Sequence, residues 1–222
     1  MSDPYAGHVT PGGPSEVRVL PALTIRKASV SEQDNNAYLL TSTATGDQLL
    51  IDAADSPDRV LALLAEGTGT LSSVVTTHQH WDHHRALPQV VEATGARTAA
   101  GADDADALPV PVDVRLGQGD TVTFGDITLD VVHLRGHTPG SVALAYHDPD
   151  GHTHLFTGDS LFPGGLGNTK LPGQSFASLI EDVTTRVFDV YDDDTWVYPG
   201  HGDDTTLGAE RPHLQEWHDR GW

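Results

Sequence analysis

The sequence predicts an α/β chain in which two β-sheets pack against each other with helices on the outside. Three observations carry that reading. Short apolar runs alternate with Gly, Pro, Asn and Asp turn signals along most of the chain. The order of several strands followed by a helix occurs twice. No linker is long enough to split the chain, so residues 17–222 read as one domain. Residues 1–16, rich in glycine and proline, read as a flexible or loosely draped tail.

In the first half, residues 17–20, 23–30, 37–42 and 48–53 read as strands, separated by Pro21, by Asp34-Asn35-Asn36 and by Gly46-Asp47. Leu49-Leu50-Ile51 is continuously apolar, as a strand covered on both faces would be. Ser56-Pro57-Asp58 then offers an N-cap, a proline for the first helical position and an early carboxylate. Val60, Leu61, Leu63 and Leu64 supply that helix with an apolar stripe, and it ends near Gly67. A strand at 74–77, a polar segment and a helix at 85–93 follow.

The second half opens with strands at 97–100, 121–124, 127–134, 141–146 and 153–157. Residues 158–173 form a glycine- and proline-rich loop of a length that is usually functional. Ser175 can cap a helix in which Phe176, Leu179, Ile180, Val183, Val187 and Phe188 recur at helical spacing. A last strand at 195–198 precedes a loop and a short helix around 210–218.

Composition narrows the chemistry. A chain of 222 residues buries roughly three quarters of its unfolded surface and needs no disulfides. It contains no cysteine, which excludes a thiolate zinc site, an iron–sulfur cluster and a cysteine nucleophile. Lys and Arg total 12 against 32 Asp and Glu, a net charge of −20 that repels phosphate backbones and anionic membranes. A small-molecule substrate is therefore expected, with no nucleic acid and no membrane as partner. The first residues carry neither the basic start nor the apolar run of a secretory leader, so the cytoplasm is the expected location.

Thirteen histidines stand out in this composition, and the densest group follows the 74–77 strand as His78-Gln79-His80-Trp81-Asp82-His83. Imidazoles two residues apart on an extended backbone lie on one side and can reach one cation. Asp82 and His83, at the start of the next helix, can face a second cation. Three more segments place a metal-binding group just after an apolar strand: Gly136-His137-Thr138-Pro139-Gly140, Thr157-Gly158-Asp159-Ser160 and Tyr198-Pro199-Gly200-His201-Gly202. Each has a glycine beside the candidate ligand, which lets the backbone turn sharply.

With these four segments in this order, the chain resembles the metallo-β-lactamase superfamily, and within it the glyoxalase II-like hydrolases, over about residues 17–211. The resemblance implies a four-layer αβ/βα sandwich with its site at one rim between the sheets. It implies that His78, His80 and His137 hold one metal, that Asp82, His83 and His201 hold a second, and that Asp159 bridges them.

Imidazole and carboxylate donors suit zinc, iron or manganese alike; two divalent ions per chain are expected, with zinc favoured. Two such ions sharing a water lower its pKa toward neutrality, and the resulting hydroxide is the expected nucleophile. Asp82 is the candidate catalytic residue, protonating the leaving group or steering the nucleophile. Thr77, Thr138, Ser160 and Asp52 are candidate supports for the ligands. His84 would point about 100° away from His83 on a helix and reads as a packing residue. His133, His147, His152, His154, His213 and His218 read mostly as solvated or hydrogen-bonded.

The resemblance implies hydrolysis of a thioester. The loop that contacts the thiol carrier in those relatives reads here Gly164-Gly165-Leu166-Gly167-Asn168-Thr169-Lys170. Asn168 stands where a basic residue is usual, Asp203 stands where a tyrosine is usual, and 21 residues follow His201. These departures point away from glutathione toward another low-molecular-weight thiol. Asn168 and Lys170 are the candidate substrate-binding residues, with Arg211 a further candidate anchor. The alternatives are a mononuclear-iron persulfide dioxygenase and a lactonase or β-lactamase-type hydrolase. An RNA-processing nuclease lacks its basic surface here, and a non-catalytic metal-binding module would leave so full a donor set unexplained.

Overall fold

The structure is a computed structural model that describes residues 5–221. Its first sheet holds seven strands in sequential order: β1 (Glu16–Val19), β2 (Leu23–Ser29), β3 (Asn36–Ser42), β4 (Gln48–Ile51), β5 (Leu71–Thr76), β6 (Arg97–Gly101) and β7 (Val114–Leu116). β1 to β4 pair antiparallel and β4 to β7 pair parallel. The first two parallel crossovers are the helices α1 (Pro57–Glu66) and α2 (Leu87–Thr94).

The second sheet begins with the meander β8 (Thr121–Phe124), β9 (Ile127–His133), β10 (Val142–His147) and β11 (Thr153–Gly158). A small hairpin, β12 (Leu161–Phe162) with β13 (Gly165–Leu166), leads to α3 (Phe176–Val183). The chain re-enters the sheet as β14 (Trp196–Pro199), parallel to β11, and adds β15 (Thr205–Thr206) at its edge. α4 (Leu207–Glu210) and α5 (Leu214–Arg220) close the chain.

Side-chain alternation makes these layers stack. Along β3, Leu40 points to the second sheet and meets Leu129, Leu144 and Phe156, whereas Leu39 points to the helices with Leu63, Leu64 and Leu87. Leu155 and Val197, on the far face of the second sheet, take Leu179 and Val183 of α3 and Trp217 of α5. Each large buried side chain contributes about 1.5–3 kcal/mol. The result is a four-layer αβ/βα sandwich with its main core between the sheets. No helix among the described residues is long and apolar enough to cross a membrane.

Several expectations are corrected. Ser56 precedes α1 but adopts φ 47°, and its side chain makes no cap; the Asp55 carboxylate instead accepts from the Ser56 amide at 2.6 Å. Asp82 and His83 lie in a separate 3-10 turn, Trp81–His83, rather than in the next helix. Pro88 explains the break, because it has no N–H and its ring would clash with the His84 carbonyl in a continuous helix. The short strand β7 and the hairpin β12–β13 lie in segments that read as loop. The 210–218 helix is interrupted by a 3-10 turn at Arg211–His213, which contains Pro212.

The tail falls partly outside the described residues; the part within them is anchored. Tyr5 donates to Asp204 at 2.7 Å, and the Gly7 amide donates to Glu16 at 2.8 Å. Lys27, fully buried on β2, spends its three protons on Gly7 O (2.8 Å), Gly202 O (2.6 Å) and Asp204 Oδ1 (2.7 Å). One ammonium thus ties the N-terminal segment and the 201–204 loop to the first sheet. Removing it would leave Asp204 as a buried charge without its counterion. We expect Lys27→Met to cost about 3–5 kcal/mol of unfolding free energy in urea titration of the metal-free protein. A change below about 1 kcal/mol would contradict this account.

Candidate metal centre

The site is built from strand ends on one rim. His78 and His80 follow β5, Asp82 and His83 sit on the 3-10 turn just beyond, and His137 lies between β9 and β10. Asp159 follows β11 and His201 follows β14. The structure brings all seven together in three overlapping sets: His78, His80 and His137; His78, His83 and Asp159; Asp82, His83 and His201. Within each set the donor atoms lie within 4.8 Å of one another.

Hydrogen bonding on the far side of each ring decides which nitrogen faces inward. His83 Nδ1 meets Asp52 Oδ2 at 2.8 Å, His137 Nδ1 meets Asn168 O at 2.8 Å, and His201 Nδ1 meets Gln33 O at 2.9 Å. Those oxygens only accept, so each Nδ1 carries the hydrogen and, in the neutral ring, Nε2 is a bare lone pair. His78 Nδ1 faces Thr77 Oγ1 at 3.0 Å, and that hydroxyl donates its own proton to Asp52 Oδ2 at 2.8 Å, so His78 follows the same rule. The inward nitrogens then crowd one another. His78 Nε2 lies 3.1 Å from His80 Nδ1, and His83 Nε2 lies 3.2 Å from His201 Nε2.

Asp159 sits among them. Its Oδ1 is 3.3 Å from His83 Nε2, and its Oδ2 is 3.6 Å from both His137 and His201 and 4.0 Å from His78. Asp159 Oδ1 and His137 Nε2 are buried with no hydrogen-bond partner. Asp82 Oδ2 lies 3.3 Å from His201 Nε2. Space is reserved as well: a Cβ on Gly200 would fall 2.3 Å from Asp159 Oδ1 and 2.7 Å from His83 Cε1. Converging lone pairs and carboxylate oxygens, all nitrogen and oxygen donors, fit divalent cations.

The charge states follow. Burial lowers the basicity of His78, His80 and His137, and at His78 the surrounding imidazoles add to that. Burial also opposes a proton on His83, but Asp159 and Asp52 outweigh it and raise that imidazole well above its ordinary range. His201 is raised in the same way by Asp82 and Asp159 against its burial. Burial would lift the carboxyls of Asp82 and Asp159, yet His201 and His83 hold Asp82 below the usual range, and His83, His201 and His137 do so for Asp159.

Around this cluster the expected supports divide. Asp52 takes the Thr77 amide (2.7 Å), the Thr77 hydroxyl and His83 Nδ1. Thr138 binds Asp104 and Ser141 rather than a metal-facing side chain, and the Ser160 hydroxyl is buried without a partner. His84 packs and meets Gln79 O at 3.0 Å. The Asn168 side chain is exposed and accepts from the Lys170 amide at 3.1 Å, and the residue reaches the site through its carbonyl. Lys170 is exposed on the same loop. Arg211 is not a substrate anchor: its guanidinium is taken by Asp193, Phe188 O and Tyr191 O.

Two of the supporting side chains that escaped the sequence lie close to the ligands. Asn35, within a triplet that read only as a turn, donates to Asp82 O (2.9 Å) and Asp82 Oδ2 (3.1 Å). Gln174 donates to His137 O at 2.8 Å.

A layered αβ/βα sandwich with a histidine–aspartate metal site on its rim is a recognisable class. The sequence profile of the metallo-beta-lactamase superfamily matches residues 31–201, and the chain belongs to that superfamily, whose members are generally metal-dependent hydrolases. It is 43% identical over 149 residues to a hydroxyacylglutathione hydrolase from Jannaschia sp., a match covering 66% of this chain and 56% of that one. The chain thus spans little more than half the length of that relative. The crystal structure of ETHE1 from Myxococcus xanthus is 31% identical, with a TM-score of 0.76 over 86% of this chain and 82% of that one. TTHA1623, crystallised in a di-iron-bound form, is 33% identical, with a TM-score of 0.71 over 83% of this chain and 96% of that one.

Two outcomes follow from the proton arrangement. The carboxylates that raise His83 and His201 make protons compete with a cation there, so metal affinity should fall as the solution is acidified. Calorimetry in buffers of different ionisation enthalpy should show proton release on binding; uptake, or no exchange, would contradict the assignment. Asp52→Asn, which places an amide where His83 and Thr77 both need an acceptor, should weaken metal binding by about 10–100-fold in equilibrium dialysis.

Proposed function

We propose that the chain is a dinuclear metal-dependent hydrolase that cleaves a hydroxyacyl thioester of a small thiol. The observation that carries this reading is the convergence of imidazole nitrogens and carboxylate oxygens from seven side chains around Asp159. His78, His80 and His137 would hold one ion, and Asp82, His83 and His201 the other, with Asp159 between them. Bound there, two divalent ions, zinc in the first instance, would acidify a water and polarise the scissile carbonyl.

The chain's own residues do the remaining work. Asp159, central and nearly enclosed, keeps the two donor sets at a fixed separation. Asp82, held ionised and about one fifth exposed, is placed to accept a proton during attack and return it to the leaving thiol. No cysteine competes for the role of nucleophile. Lys170 and Asn168, on the loop whose carbonyl orients His137, are the proposed contacts to the carrier. The thioester class is supported by the hydroxyacylglutathione hydrolases among the relatives; Asn168 in place of a basic residue favours a carrier other than glutathione.

The test is elemental analysis of the purified protein together with turnover of thioesters, lactones and a cephalosporin. We expect two equivalents of divalent metal per chain and thioester hydrolysis. One equivalent of iron with oxygen uptake on a persulfide would replace this reading with a dioxygenase, and lactone turnover with inert thioesters would move it to a lactonase. Asp159→Ala should lose metal and reduce activity by more than about 100-fold, beyond what loss of a supporting residue costs. Full activity in that variant would remove Asp159 from the centre.

A further inference from the structure

We propose that Asp104 is a positioning residue for the three-histidine half of the centre, acting on His78, His80 and His137 without touching them. The proposal rests on the dinuclear reading above. Asp104 follows β6 on the first sheet, is fully buried, and uses both carboxylate oxygens across the gap between the sheets. Oδ2 accepts from the Gln79 amide at 2.9 Å and from the Thr138 hydroxyl at 2.5 Å. Oδ1 accepts from the Gly140 amide at 2.7 Å.

The placement of those three donors is the argument. Gln79 is the residue between His78 and His80, and its amide bond sets the course of the backbone that presents both rings. Thr138 is next to His137, and Gly140 closes the same loop from the second sheet. One carboxylate therefore joins the backbone of two histidines on the first sheet to the loop that carries the third on the second.

The joint leaves no slack. A Cβ on Gly101 would fall 1.8 Å from Gly140 O, and one on Gly140 would fall 2.4 Å from the Asp104 amide nitrogen. Both glycines let the two loops meet backbone to backbone. Thr138 also meets Ser141 Oγ at 2.6 Å, and the Val142 amide, just beyond, donates to Thr77 O at 2.9 Å. None of these bonds reaches Asp82, His83 or His201, whose supports are Asp52, Asn35 and Gln33 O. The clasp belongs to one half of the centre.

That division makes the test selective. Asp104→Asn keeps an acceptor for one partner and turns an N–H toward another donor, while Thr138→Val removes a single hydroxyl. Zinc binding would be measured by equilibrium dialysis in wild type and in both variants. Asp104→Asn would also be combined with His201→Ala, which cripples the second set, and with His80→Ala, which cripples the first. We expect one wild-type equivalent to weaken by about 10–100-fold in Asp104→Asn and by less in Thr138→Val. Beside His201→Ala the remaining equivalent should weaken, and beside His80→Ala it should not change. Equal weakening of both equivalents, or of neither, would overturn the proposal. A wild-type protein that binds a single equivalent would end the dinuclear reading alone. The clasp would then stand if Asp104→Asn weakened that equivalent and fall if it did not.

Discussion

The centre depends on the bond between Asp52 and His83. Asp52 adopts φ 58°, a left-handed conformation that aspartate tolerates better than most residues. There it turns its carboxylate away from β4 toward the end of β5. It receives two protons from Thr77 and one from His83. By accepting from Nδ1 it turns the His83 lone pair inward, and by taking the Thr77 hydroxyl proton it leaves that oxygen to accept from His78. One buried anion therefore fixes the tautomer of an imidazole on each side of Asp159. Without it, the His78 and His83 rings could turn hydrogens toward the other donors.

The fold makes that arrangement possible only when both sheets are docked. His78, His80, Asp82 and His83 hang from β5, whereas His137, Asp159 and His201 hang from the second sheet. Between the sheets, Leu40, Leu144, Phe156 and Tyr198 fill the interior and set their spacing. Above them polar bonds take over. Tyr38 donates to Pro199 O at 2.7 Å and the Asn36 amide to Gly200 O at 2.8 Å, with Lys27 reaching Gly202 O beside them. Apolar burial sets the distance between the layers, and directional bonds at the rim set their register. Metal binding is accordingly coupled to the docking of two sheets rather than to one loop.

This division explains what could be read from the sequence. The seven converging donors were legible because they sit in four short segments that follow apolar strands, a pattern set by residue type and local spacing. The layered architecture was legible because strand and helix periods are local as well. Lys27 and Asp104 were not, since their partners lie 177 and 34 residues away along the chain. The carbonyls of Asn168 and Gln33 carry no residue-type signal at all, because any amino acid would supply the same oxygen. Ser56 shows the opposite failure: the expected cap residue is present, but a left-handed backbone turns its hydroxyl away. Local pattern names the groups that do chemistry, and long-range packing chooses those that aim them.

Net charge would act in opposite senses on divalent cations and on the thiol carrier proposed above. A net charge of −20 favours divalent cations and would disfavour an anionic carrier. Several arginines are held by carboxylates elsewhere. Arg135 is spent on Asp182, Arg115 on Asp106, Arg59 on Glu66 and Arg211 on Asp193. Arg85, two residues beyond His83, is the exception in position. Its guanidinium lies 3.1 Å from the ring of the exposed Trp81 while Asp55 holds it at 2.6 Å. Stacking on an aromatic face beside a carboxylate fixes the cation in place. Asp55 pairs with this cation as other carboxylates pair with the arginines above, so the rim keeps its acidic character. An anionic carrier of the kind proposed would therefore have to be held by local contacts against the overall field, whereas divalent cations are favoured by it.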